Sequence, residues 1–204
     1  VTTARQPVDD GELRVVQYSA ARTRVLDAAL DLFAQHGVSG TSLQMIADAV
    51  GITKAAVYHQ FRTKDQIVIA VTERELGRLS PALEEAEAHG NGPEARDALL
   101  VSTVEMAVRD RRLVRTLQWD PVVVRLLAEH EPFQRFMERL YRVLLSDAGL
   151  DGRIEAAMFS GAISTAVMHP LVADIDDDTL LDRLIDMSRR LLRLHQDPHT
   201  ERGA

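Results

Sequence analysis

Between Thr41 and Lys64 the chain reads TSLQMIADAVGITKAAVYHQFRTK, two short apolar-periodic runs hinged on one glycine. Met45, Ile46, Ala49 and Val50 recur at three- and four-residue spacing before Gly51, and Ile52, Val57 and Phe61 do so after it. A helix gathers such positions onto one face, so each run has an apolar side for a shared core. Gly51 has no Cβ and can take the left-handed conformation that closes one helix and redirects the chain. Thr41-Ser42-Leu43-Gln44 and Thr63-Lys64-Asp65-Gln66 both fit the S/T-x-x-E/Q box, where side chains satisfy the free N–H groups of a first turn. Thr53 can cap the helix between them. On these residues alone the pair serves either an unrelated all-α core or a surface that reads DNA. The outward positions of the second helix, Lys54, Ala55, Tyr58, His59 and Gln60, are short or hydrogen-bonding with one positive charge, which suits a major groove.

The remaining chain is punctuated as helices. From Ser19, a plausible cap, the stripe Val25, Leu26, Ala29, Leu30, Leu32 and Phe33 predicts a helix to His36, ended by Gly37. A long helix follows Thr63, and Pro81 predicts a break near Leu79–Ser80. His89-Gly90-Asn91-Gly92-Pro93 is the clearest interruption. Beyond it, helices are expected at 93–109, 111–119, 121–130, 132–147, 152–169 and 178–194, and nothing reads as a strand. Only 4% of residues are aromatic while Ala, Leu, Val and Arg dominate, which favours an all-α fold. The domains expected are an N-terminal arm (1–18), a three-helix DNA-binding unit (19–66), a helical C-terminal domain (67–195) and a tail (196–204). Arg5 and Arg14 in the arm have the charge to enter a minor groove, though a plain disordered tail accounts for them too. Asp174 to Asp178 is read as a solvated loop, because Ile175 and Leu180 spoil a calcium-ligand pattern.

Composition narrows the function. There is no cysteine, so disulfides, thiol catalysis and thiolate metal sites are excluded. Net charge is −7, which is unusual for a nucleic-acid binder. Residues 20–66 hold five basic side chains (Arg22, Arg24, Lys54, Arg62, Lys64) against four acids (Asp27, Asp31, Asp48, Asp65), a net +1, so the acid lies elsewhere. Non-specific DNA affinity should be modest and strongly salt-dependent. Ile154 to Met168, the most apolar stretch, falls short of the ~20 residues a bilayer needs. With no signal-peptide layout in view, a cytoplasmic location is expected. No nucleophile elbow, phosphate loop or dinucleotide fingerprint occurs. His195 and His199, the one metal-like spacing, are separated by Pro198. Neither catalysis nor a metal nor a cofactor is expected, and a helical protein–protein adaptor stays open as the rival class.

The run from about Arg22 to Glu73 resembles the N-terminal domain of the TetR family of bacterial transcriptional regulators. The marks are LFAQHG (Leu32 to Gly37), GTS (Gly40 to Ser42), IADAVGIT (Ile46 to Thr53) and VYHQFRTKDQI (Val57 to Ile67). They cover about a quarter of the chain, and Gln60 departs from the histidine common at its position. The resemblance implies a helix-turn-helix domain followed by a helical ligand-binding and dimerisation domain. It implies a regulator, most often a repressor, that binds a palindromic double-stranded operator as a homodimer and is released by a small apolar effector. A DNA-binding dimer without an effector is the alternative.

Base contacts would then come from Lys54, Ala55 and Gln44, although Gln44 has a competing duty toward the Thr41 backbone in a capping box. Phosphate contacts would come from Ser42, Thr53, Tyr58, His59 and Lys64. An effector pocket is expected among Met106, Trp119, Leu126, Phe133, Phe136, Met137, Met158 and Phe159, with Gln118, Arg125 and His130 as polar handles; plain core packing accounts for the same residues. Ala157, Gly161, Leu184 and Leu191 are expected at the dimer interface. Small residues make Ile154 to Met168 suited to close helix approach and to burial on nearly all sides.

Overall fold

Four hydroxyls start the first four helices. The computed structural model describes residue 13 and residues 17–90, 92–145 and 149–192, with Trp119 described by its backbone only. Ser19 Oγ accepts from the N–H of Arg22 at the head of α1 (Ala20–Gly40). Ser42 does the same for Met45 in α2 (Leu43–Val50), Thr53 for Ala56 in α3 (Lys54–Gln60), and Thr63 for Gln66 in α4 (Lys64–Leu76). Each cap gives a partner to an N–H that has none within the helix.

The cap of α2 is Ser42 and not Thr41. Thr41 is buried and its hydroxyl donates to the Gly37 carbonyl at 2.8 Å, so it is unavailable to the helix ahead. The second box is likewise displaced, because Gln66 Oε1 accepts from Arg62 N–H at 2.8 Å, one residue before the cap. Gly51 sits at φ 75, ψ 35 as expected. Its N–H reaches the Asp48 carbonyl and that of Ile52 reaches Ala47, the two bonds of a Schellman turn. Gly37, at φ 71 and ψ 165, breaks α1 as foreseen, and one further turn then runs to Gly40.

Proline opens the helices that follow. A single tight turn, Gly77–Leu79, precedes α5 (Ser80–Ala88), so the break falls where Pro81 places it. Pro93 begins α6 (Pro93–Arg109), and α7 (Arg111–Trp119) follows under an Asp110 cap. Pro121 and Pro132 sit in the first turns of α8 (Pro121–Glu129) and α9 (Glu131–Leu144). The proline ring fits the first turn because its missing N–H is not needed there. The last two helices are α10 (Leu150–Met168) and α11 (Asp177–Leu191), the latter capped by Asp176. The fold is all-α. The Asp174–Asp178 stretch is exposed, as a solvated loop leading into α11.

Two apolar clusters result. One joins α1, α2, α3 and the first half of α4 through Val25, Leu26, Phe33, Ile46, Val57, Phe61, Ile67 and Val71. Val123 and Leu127 of α8 are buried in the same cluster. The second is built from Leu76, Leu79, Leu83, Leu99, Leu100, Phe136, Leu140, Phe159 and Leu184. Helix α4 thus spans both. Leu13, expected in a mobile arm, is buried in the second cluster and its carbonyl accepts from Ser80 Oγ at 2.7 Å. Arg5, Arg14, His195, His199 and the expected tail 196–204 lie outside the described residues.

Candidate nucleic-acid interface and the cavity behind it

Helix α3 stands at the surface with its inner side pinned by Val57, which is fully buried. Lys54, Ala55, Tyr58 and His59 are exposed on the other side, with Thr53 and Ser42 exposed at the two helix starts beside them. Tyr58 is 48% exposed, and the guanidinium of Arg62 lies 5.3 Å from the centre of its ring. That contact places a second positive charge on this face. The sequence reading passed over Arg62, though its offset from Tyr58 was visible. Arg22 braces the unit from behind, its guanidinium 4.6 Å from the Phe61 ring and 5.1 Å from Tyr18.

Three expectations need correction. Gln60 is half-buried, and its amide oxygen has no hydrogen-bond partner among the described residues, so it does not belong to the outward set. Gln44 is not tied to the Thr41 backbone; its amide donates to Asp48 Oδ1 at 2.7 Å and it stays exposed. Lys64 is half-buried and turned inward, where its ammonium donates to the Val38 carbonyl and to the Thr41 carbonyl, the latter at 2.8 Å. Two of its three donors are therefore spent inside the protein.

Behind this unit a cavity of about 140 Å³ lies between the turn after α4 and α6, α7, α9 and α10. Met106, Phe133, Met137 and Phe159 line it as expected, and so does Gln118. Its remaining polar groups are Thr103, Tyr141, Ser160 and Ser164. Burial pushes the Tyr141 phenol up, and its hydrogen bond with Ser160 partly offsets this. Among the described residues no charged side chain lines the cavity, so it suits an uncharged molecule or the apolar part of a larger one.

The other expected pocket residues fall elsewhere. Phe136 is 1% exposed within the second cluster, Leu126 packs on the first cluster, and the Trp119 side chain is outside the described part. Met158 points away from the cavity and is 56% exposed. Arg125 is exposed, and His130 is paired through Nε2 with Glu73 Oε1 at 3.0 Å.

Within one chain α10 is open along one side. Leu150, Ile154, Ala157, Met158, Gly161, Ala162 and Thr165 form an open stripe, with nothing within 4 Å of a Cβ built on Gly161. Ser160 and Ser164, read as small residues for helix approach, face the cavity instead. On α11, Leu184 is 7% exposed and belongs to its own chain's core, which removes it from an interface; Leu191 is half-buried. Met187, 58% exposed, is the apolar residue that α11 turns outward. No helix among the described residues is long and apolar enough to cross a membrane.

The family model for bacterial regulatory proteins of the tetR family matches residues 25–71, the segment that builds the first cluster. The chain is 36% identical over 94 residues to the HTH-type transcriptional regulator AcrR of Shigella flexneri, covering 45% of this chain and 43% of that one. It is 36% identical over 90 residues to the HTH-type transcriptional repressor KstR2 of Rhodococcus jostii, covering 44% of each. The match thus spans under half the length of these relatives. Among solved structures, a transcriptional regulator of Aquifex aeolicus superposes with TM-score 0.64 at 18% identity, over 84% of this chain and 99% of that one. A TetR-like transcriptional regulator of Rhodococcus sp. RHA1 gives TM-score 0.61 at 25% identity, over 87% and 99%. The family is one of regulators and not of enzymes. Residues 25–71, which hold the helix-turn-helix of α2 and α3, thus match the tetR family of bacterial regulatory proteins, and a helical second unit stands behind them.

Proposed function

We propose that the chain is a repressor that binds a palindromic operator as a homodimer and lets it go when a small apolar molecule enters the cavity. The observation that carries this reading is the free outer face of α3, where Lys54, Ala55, Tyr58 and His59 stand clear of their own chain. Lys54 is the residue best suited to a base edge, because an ammonium pairs with guanine O6 and N7. Ser42, Thr53, Tyr58, His59 and Arg62 suit phosphate oxygens, and Lys64 retains one donor for that use. The boundaries 19–66 and 67–195 serve as the reading and responding parts.

One reading helix covers too few base pairs to select a site, and a symmetric pair on two half-sites removes that limit. The open stripe of α10, with Met187 beside it, is the surface offered for pairing. The name of KstR2 supports repression as the sign of control. The cavity is small beside the roughly 300–1,000 Å³ of most ligand pockets, so its occupant is small or parts the helices on entry.

Selection of duplexes from the chain's own genomic DNA, followed by gel shift across salt, tests the reading. Enriched sequences should be inverted repeats with half-sites about one helical turn apart or a multiple. Lys54→Ala should relax preference at one position by about 1–3 kcal/mol. Met158→Asp should leave the chain folded, because that side chain is open, yet halve its mass in sedimentation and abolish selection. Recovery of random sequence, or equal mass for both proteins, refutes the reading.

A further inference from the structure

Asp120, at the junction of α7 and α8, serves two elements at once. Its Oδ1 accepts from the N–H groups of Val122 and Val123 at 2.9 and 3.3 Å, capping α8. Its Oδ2 accepts from the N–H of Val38 at 2.6 Å, 82 residues earlier in the chain. That N–H is free for it because Gly37 leaves the helical conformation at φ 71, ψ 165 and takes away the partner four residues back. Gly37 is needed for space as well, since a Cβ there would sit 3.2 Å from Asp120 Oδ2.

Val38 is gripped from the other side too. Its carbonyl accepts from Lys64, the first residue of α4, which also holds the Thr41 carbonyl just before α2. One fully buried residue thus has its N–H held by the second unit and its carbonyl held by the reading unit. Helix α7, which ends at Asp120, supplies Leu113, Val114, Leu117 and Gln118 to the cavity wall. Anything that displaces α7 acts on the carboxylate at its end, and a hydrogen bond weakens steeply with distance and angle. The bond to Val38 is charge-assisted and therefore among the stronger kind. Asp120 can release it while keeping its cap on α8.

We propose that Asp120 is the positioning residue through which an occupied cavity shifts the reading unit, by holding Val38 when the cavity is empty and releasing it when α7 moves. This rests on the reading of the cavity as an effector site, and it names the route by which occupancy is felt. A ligand shifts the equilibrium only by preferring one arrangement, and here the preferred arrangement is the one with the latch undone.

The experiment separates latch from cap. Asp120→Ser retains a capping hydroxyl for α8 but is too short for Val38. Amide exchange at Val38 should quicken roughly tenfold in the Ser variant, with Val122 and Val123 little changed. Ala107→Leu, which adds three carbons to the cavity wall, stands in for a ligand. It should quicken Val38 exchange and weaken binding to the selected duplex by roughly tenfold in the native background, yet add nothing in the Asp120→Ser background. Ser164→Leu replaces it if Ala107→Leu does not fold. Unchanged Val38 exchange in Asp120→Ser, or effects of filler and Ser variant that simply add, overturns the proposal. Should the chain select no duplex, the regulator reading fails, and the exchange measurements still decide the latch.

Discussion

The reading unit and the unit behind it begin their helices by different chemistry. Ser19, Ser42, Thr53 and Thr63 start α1 to α4, while Pro81, Pro93, Pro121 and Pro132 open α5, α6, α8 and α9. A hydroxyl cap fixes where a helix begins and leaves a small polar group at the surface, where a phosphate can approach. A proline start removes one of the N–H groups that need a partner, and at α8 the Asp120 carboxylate takes the next two. The reading unit is thin, and much of its definition comes from caps and backbone turns. The second unit is defined by burial, with ion pairs binding its helices, such as Arg189 to Asp97 with two contacts of 2.7 Å and Arg139 to Glu87 at 2.6 Å.

If burial defines the second unit, its largest response should be to a hole. Phe136 is 1% exposed and sits in the core beside the cavity. Phe136→Ala should cost about 3–5 kcal/mol, the range for deleting a buried aromatic side chain, read as a fall in the urea midpoint. A loss under about 1 kcal/mol would mean that the helices close over the gap, and the contrast would weaken.

Within the reading unit the largest effects should fall on backbone. Gly37 occupies a region open to glycine almost alone, and an added Cβ there meets Asp120. Gly51 is in the ordinary left-handed region with nothing within 4 Å of a built Cβ. Gly37→Ala should therefore cost about 3 kcal/mol and Gly51→Ala about 1 kcal/mol. Thermal unfolding of the pair checks the order, and equal costs would show that space at Gly37 is irrelevant.

Lys64 comes next. Since two carbonyls depend on its ammonium, Lys64→Met should destabilise the reading unit by about 1–2 kcal/mol. The slope of log affinity against log salt should fall by less than the ~1 expected for a lysine wholly given to a phosphate. A full unit of slope with no loss of stability would restore the outward reading of this residue.

The same contrast governs what the sequence disclosed. Gly51, Thr53 and the periodic apolar positions of α2 and α3 have local causes, and local causes are written in adjacent residues. Even there the register slipped by one at Ser42, because Thr41 is bound by Gly37, a tertiary matter. In the second unit the helix ranges were legible, but not the side each residue faces. Helix α10 is apolar all round, so its pattern could not tell Met158, which looks outward, from Phe159, which lines the cavity. Leu184 and Met187 are both apolar residues of α11, and only the packing of α11 on α6 sends one in and the other out. Ser160 and Ser164 gave no signal as cavity groups, since hydroxyls in helices commonly satisfy themselves on the preceding turn.

The smallest effect concerns acid. Glu87 on α5 accepts from Arg139 on α9 at 3.1 and 2.6 Å, and this bond chiefly, opposed by burial and aided by the charges of Arg139 and Arg142, holds its carboxyl below the ordinary range. A carboxylate with a lowered folded pKa contributes stability that is complete above its unfolded value of about 4.3 and fades as pH falls through the folded value. The contribution should stay under about 1 kcal/mol, because both side chains keep some contact with water. Glu87→Gln cannot titrate, so the native chain should lead it in urea midpoint at pH 7 and lose that lead as the pH falls below the ordinary carboxylate range. A lead that is constant with pH would show that the tie between α5 and α9 is packing and not charge, and would place the second unit wholly under burial.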